Sequence, residues 1–478
     1  MATTARSPRR RVAPVRLGVG AVLALSFLSP VARAVTVPPA PTGTVAGAST
    51  AADPTWGVLA TPEGRAPRVR ALAVVGRTVY LGGDFTTMVP PDSPLPPVTT
   101  STSTTPSPTT PAPVVTPAVA AVTAGPPGSQ RRNHLAALDV DRHTLLPWDP
   151  DADGPVSAMV VSADGKQLYV GGDFDHVGGV AAPKLARIDV ATGGVDPTFQ
   201  PGVRGGVRAL ALAGDRLYVG GVFTVVDGPA GGEARPKVAA LDAASGAVLP
   251  WTPPAMGPGR YSGHNGTPTP SESGGDVLAL AVPADGRRVY VGGNFMSLGG
   301  RAGLVVLDAD SGRPLPQQWT TGRPIFDLAV SPADGATVFA SAGGSGGQVY
   351  AFNPDQPTSP RWATWVDGDA PGVAASATTV YLMGHYDYAG KDGALRHHLA
   401  AFDATDGAVD PWNPTANTPW GAFSAAVGAG HVFVGGEFTR INGRPQPGFA
   451  QFSLPPPPPP TTTTATSPTT TTTSKLRS

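Results

Sequence analysis

Cysteine is absent from all 478 residues. That excludes disulfide staples and a lipid-carrying leader cysteine, so stability has to come from packing alone. Charge is also scarce. Only 14% of residues are charged and the formal net charge is zero, against roughly 25% charged in ordinary globular domains. A neutral chain lacks the basic face that nucleic acid or an anionic membrane surface would require. After the first thirty residues no run is long and apolar enough to span a membrane. Helical periodicity is missing too, as are a hydrolase elbow, a His-Glu-x-x-His zinc motif, a phosphate loop and a dinucleotide fingerprint. What abounds is glycine and proline, 61 and 56 residues. Much of the proline lies in the ends and one insertion, and much of the glycine inside a repeat.

The ends read as non-globular. Arg9, Arg10, Arg11 and Arg16 precede the short apolar run 17–28, and Val31-Ala32-Arg33-Ala34 offers small residues for cleavage. This is the pattern of a signal peptide over 1–34, which implies a secreted, extracellular protein. A flexible linker follows at 35–52, and a Pro/Thr-rich tail at 454–478. A Thr/Ser/Pro-rich stretch at about 88–131 has the same composition. Such segments cannot bury enough apolar surface to fold, and suit extended, O-glycosylated chain.

Between them one phrase recurs. Val79-Tyr80-Leu81-Gly82-Gly83-Asp84-Phe85 returns at 168–174, 217–223, 289–295 and 432–438, with worn copies at 338–342 and 380–386. Each copy sits among four short β-patterned segments. Ser162-Ala163-Asp164-Gly165 and its counterparts at 283–286 and 332–335 are hairpin turns between the first two segments. Asp189-Val190-Ala191-Thr192-Gly193 and its counterparts link the last two, with the Asp carboxylate placed to accept backbone N–H groups. Glycine inside a strand marks a bulge or a close approach of neighbouring sheets. A closing aromatic ends six repeats: Trp148, Phe199, Trp251, Trp319, Trp362 and Trp412. The seventh lacks one, while Trp56 stands unassigned ahead of the first. The expectation is an all-β fold over 53–453. It is a seven-bladed β-propeller of four-stranded antiparallel blades, the ring closed by an N-terminal strand around Trp56.

Tyr-Val-Gly-Gly-x-Phe, then Leu-Ala-x-Leu-Asp, then Pro-Trp-x-Pro, resembles secreted bacterial β-propeller repeats of unknown function. The extracellular propeller of a fungal cortical polarity marker is similar. The resemblance covers roughly 53–453 without its insertions and implies a fold. It implies no catalytic residues.

With strands lettered A to D from the centre outward, the B–C and D–A loops share one face. The two long insertions, 86–132 and 252–275, both lie there, so that face is the expected working surface. The variable residue after the glycine pair falls near it: Asp84, Asp173, Val222, Asn294, His385 and Glu437. These would form a partial polar ring for a cation or sugar hydroxyls, or each would cap its own loop. The sixth repeat departs most, with His385, Tyr386, Asp387, Tyr388, Arg396, His397 and His398 close together. Aromatic, acidic and imidazole groups suit carbohydrate or a metal. Tyr261 and His264 are weaker candidates. Asp149-Pro150-Asp151-Ala152-Asp153-Gly154 begins like a calcium loop, but its twelfth position is Val160 where a bidentate Glu is needed.

The expected function is that of a secreted, monomeric, non-catalytic recognition or scaffold protein. It would bind cell-wall polysaccharide, another glycan or a surface protein through the B–C/D–A loop face, without cofactor or catalytic residues. Ligand-binding candidates are Asp84, Asp173, Asn294, His385, Tyr388, His397 and Glu437, with calcium as a lesser possibility. The alternative is a propeller enzyme, a carbohydrate lyase or hydrolase or a quinone-dependent dehydrogenase.

Overall fold

Alternating apolar residues and Asp-Gly turns produce strands throughout the computed structural model, and none of the described residues is helical. The described residues are 48–59, 66–94 and 125–455, apart from 229–230, 236, 263–267, 272–274, 317–318, 320, 345 and 418–419. The expected leader, most of the linker, the middle of the long insertion, His264 and nearly all of the tail lie outside them.

Seven antiparallel sheets repeat one plan, in which the A strand pairs with B and B with C. The first is Arg68–Val75, Thr78–Asp84 and Leu135–Asp139. The second is Val156–Val161, Gln167–Gly172 and Leu185–Asp189. The fifth is Ile325–Val330, Val338–Ala342 and Gly347–Phe352. The last is Ala422–Gly428, His431–Gly436 and Phe449–Ser453. The A strand of each sheet packs beside that of the next, and Ala422–Gly428 packs beside Arg68–Val75. Upstream residues reach the last sheet: the Ser49 N–H donates to the Ser453 carbonyl (2.7 Å) and the Asp53 N–H to that of Gln451 (2.8 Å).

The first A strand alternates in burial. Val69, Ala71 and Ala73 are buried between sheets, while Arg70 and Leu72 face a cavity that all seven A strands line. The glycine pair makes this packing possible, each glycine for its own reason. A Cβ on Gly82 would lie 2.6 Å from Val156 Cγ1 of the neighbouring sheet, so it permits close approach between sheets. One on Gly83 would lie 2.0 Å from the Arg68 carbonyl oxygen, because the register shifts there between Val69 and Ala71. The same bulge recurs in the second to fifth and in the last sheets. The sixth pairs without one, Gly372 with Met383 and Val373 with Leu382.

The D strand is shorter than expected. Among the described residues it is a full strand only in the fifth repeat, Trp362–Val366. Elsewhere it shrinks to a two-residue strand or a single bridge such as Ile188–Val195 or Phe402–Val409. The residue before the closing aromatic accounts for much of this. Pro147, Pro250 and Pro411 have a fixed φ and no N–H, so the chain leaves the sheet there. The Trp412 N–H then turns to the Asp410 carboxylate (2.8 Å). Arg361 imposes no such bend.

Sheets are coupled by rings. Tyr80 meets Trp148 edge-on at 4.9 Å, and Tyr218 meets Trp251 at 5.3 Å. Each aromatic also reaches the next sheet. The Trp251 indole N–H donates to the Asp308 carbonyl (3.0 Å), and the Tyr169 hydroxyl to that of Ala243 (2.7 Å). The expected turn chemistry is present: Asp189 Oδ1 accepts the N–H groups of Ala191 and Thr192, and Gly165 and Gly193 have φ of 71° and 75°.

Candidate functional site

The bulge aims one A-strand side chain at the cavity in six of the seven sheets. In the first three repeats this residue is Arg70, Ser157 or Arg208, and later Leu278, Phe326 and Phe423. All six line a cavity of about 530 Å³. The arginines come from the same phrase, Val-Arg-Ala-Leu-Ala, at 69–73 and 207–211. That repetition was a readable signal for a cationic position.

Three of the predicted residues gather at this mouth. Glu437 is buried and accepts from Arg68 Nε at 2.5 Å. Asp173 Oδ2 accepts from Arg208 Nη1 at 2.6 Å. Asp84, also buried, lies with Asp173, Arg68 and Arg208 within electrostatic reach of Arg70. Burial, then the like charge of Arg68, lowers the proton affinity of Arg70. The Arg68 guanidinium stands 5.6 Å from the ring centre of Phe423.

Asn294 does not join them. Its Oδ1 accepts the Asp276 N–H at 2.6 Å and ties the end of its B strand to the loop that enters the paired A strand. His385, Tyr388 and His397 form a second group in the sixth repeat. His385 lies 5.8 Å from the Trp420 ring, and His397 Nδ1 is 2.8 Å from Asp387 Oδ1. The N–H groups of Asp387 and Tyr388 both donate to Asp367 Oδ1 at 2.8 Å. Burial lowers the pKa of His398 nearby, and its Nδ1 has no hydrogen-bond partner among the described residues.

Around this group lie two aromatics that sequence reasoning missed, Trp365 and Trp420. The large hydrophobic side chains exposed among the described residues are Trp365 (41%), Tyr388 (46%), Leu395 (46%) and Trp420 (56%), all between 365 and 420. The sheet geometry explains three of them. The D strand Trp362–Val366 runs on into the B–C hairpin Tyr388–Ala389/Ala394–Leu395, giving one six-stranded sheet. Tyr388 pairs with Leu395, and the Gly390 N–H donates to the Trp365 carbonyl (2.8 Å). With side chains alternating along each strand, Trp365, Tyr388 and Leu395 share one face.

Asp327 was also missed. It stands where four other A strands carry Ala71, Ala158, Ala209 and Ala279 and the last carries Ser424. It lines the cavity, and burial pushes its carboxyl up to about 7. The N–H groups of Leu328 and Val373 oppose that shift, donating at 2.8 and 2.9 Å. Four C strands are entered through a non-glycine residue in the left-handed region: His134, Lys184, Lys237 and His398. Gly303 and Gly448 hold the same place elsewhere. Two of the strained residues carry ammonium groups that anchor a neighbouring carboxylate, Lys184 to Asp175 (2.7 Å) and Lys237 to Asp276 (3.3 Å).

No group of three or more His, Asp or Glu among the described residues is arranged to hold a metal ion. In the segment that begins like a calcium loop, Asp151 accepts from Asn133 (2.6 Å) and Asp153 from the N–H groups of Asp175 and His176.

Residues 163–199, the B and C strands of the second repeat through Phe199, match a β-propeller domain of unknown function, DUF5122. No curated protein matches the chain. Among solved structures, the crystal structure of the computationally designed Ika8 protein is similar over 83% of this chain and 100% of its own. The identity is 13% and the TM-score 0.42.

Proposed function

We propose that this is a secreted, non-catalytic recognition protein, a seven-bladed β-propeller that binds a cell-surface glycan through its B–C/D–A loop face. The blade count is supported by seven sheets of one plan whose A strands line one cavity. Closure is supported by contact of the last A strand with the first, and by the Ser49 and Asp53 bonds to the last C strand. The sealing strand on this reading lies just upstream of Trp56, which packs into the core shared by the first and last sheets. It covers an edge that would otherwise offer unpaired backbone.

The observation that carries the function is the clustering of exposed aromatics between 365 and 420. Scattered exposed hydrophobics need no explanation, but a flat aromatic face on a rigid sheet, edged by the His397–Asp387 pair, suits pyranose rings. Binding to purified cell-envelope polysaccharide tests this. Joint replacement Trp365→Ala and Tyr388→Ala should weaken binding about tenfold or more, from aromatic contacts of about 0.5–1.5 kcal/mol each. Undiminished binding by that variant, or no binding by the unaltered protein, would sink the reading.

A further inference from the structure

Three guanidinium groups stand at the cavity mouth over the first three repeats, and two are engaged. Arg68 is held by Glu437 and Arg208 by Asp173. Arg70 faces the cavity between them and makes no hydrogen bond or ion pair among the described residues. A partly buried guanidinium offers five N–H donors and needs oxygen atoms to receive them. A carboxylate fits that fork in two parallel bonds and supplies opposite charge.

Two neighbours narrow the ligand. Asp84 is buried within electrostatic reach of Arg70 and presents only acceptors. It disfavours a bare anion but suits a molecule carrying hydroxyl donors beside its acid group. Phe423 lines the same cavity next to the Arg68 guanidinium and offers an apolar ring face. Volume agrees, since about 530 Å³ admits a sugar ring with its first water shell.

We infer that the cavity mouth binds a carboxylate-bearing sugar, a uronate, with Arg70 on the carboxylate, Asp84 on a ring hydroxyl and Phe423 against the ring. This rests on the glycan-binding reading of the loop face and names the acidic sugar class within it.

Glucuronate and galacturonate are titrated into the full chain by calorimetry and thermal shift, beside glucose, galactose and sodium sulfate. The expected result is saturable uronate binding at least about tenfold tighter than that of the parent sugars, since hydrogen bonds to a charged group contribute about 1.5–3 kcal/mol. Arg70→Gln should lose that preference, and Arg70→Lys should keep part of it, having the charge without the fork. An unchanged melting temperature without ligand shows that Arg70→Gln folds. If it does not fold, Arg70→Lys and Phe423→Leu carry the test. Equal binding of uronate and parent sugar, equal binding of sulfate, or full uronate affinity in the Arg70 variants would overturn the inference. Polysaccharide binding lost in the Trp365/Tyr388 variant but untouched in Arg70→Gln would remove this inference and leave the loop-face reading standing. Arg70-dependent uronate binding without polysaccharide capture would do the reverse.

Discussion

Two sides of the same cavity were built by one bulge and filled differently. In the first three repeats the bulged position holds Arg70, Ser157 and Arg208, and in the fifth and last it holds Phe326 and Phe423. The first side is a charge network, with Glu437–Arg68 and Asp173–Arg208 flanking Arg70. On the second side the repeat itself erodes. Ser341 and Ala342 replace the glycine pair, the sixth sheet loses its bulge, and Asp327 replaces an alanine. The intact repeats bring charged residues to the mouth, with Arg68 and Arg208 paired and Arg70 facing the cavity, whereas the worn ones bring Phe326 and Asp327 to it.

The largest test of this contrast is steric. Gly172→Ala places a Cβ 2.1 Å from the Pro155 carbonyl oxygen in an intact bulge. Chemical denaturation should show a loss of about 3 kcal/mol or more, as backbone has to move. The fifth repeat already carries Ala342 at the matching place, so Ala342→Gly should change stability by less than about 1 kcal/mol.

A smaller effect separates the two sides by pH. The Asp327 carboxyl titrates at about 7 when folded, against 3.8 for an unburied one. Below 3.8 both states hold the proton; between the two values only the folded state does. Stability therefore falls as pH rises through that window and stays low above 7. Asp327→Asn should raise the melting temperature at pH 8 and leave it nearly unchanged at pH 4. The gain at pH 8 is on the order of 2–4 kcal/mol. A gain of equal size at both pH values would refute the assignment.

The smallest test compares two tyrosines. Tyr169 donates to the Ala243 carbonyl, but the buried Tyr290 hydroxyl has no partner among the described residues. The turn it would meet is Asn353-Pro354-Asp355-Gln356-Pro357, without the Asp-x-x-x-Gly pattern. Tyr169→Phe should cost about 1 kcal/mol, while Tyr290→Phe should be neutral or stabilising.

Much of the fold was legible because its signals are local. Alternation, Asp-Gly turns and the glycine pair each act within a few residues, and the structure has strands and turns where they predict them. The D strands were over-read, since the aromatic at their end was visible while the bend at Pro147, Pro250 and Pro411 was not given its weight. For the site, the variable position was legible as polar, but its partners were not. Asn294 and Asp173 look alike in the sequence, yet one ties its B strand to the loop entering the paired A strand and the other holds Arg208. Nothing in its local sequence marks Trp365, which stands exposed on a strand that pairs with the hairpin of the following repeat.

By itself, then, the sequence determined the strands, the turns and their repetition, because those follow from φ preferences and from side-chain periodicity of two. The tertiary structure alone decided which side chains meet. Arg68 and Glu437 are 369 residues apart and bond at 2.5 Å, a contact that depends on how seven sheets pack in succession. No local pattern carries that information, because electrostatic and packing partners are set by distance in space.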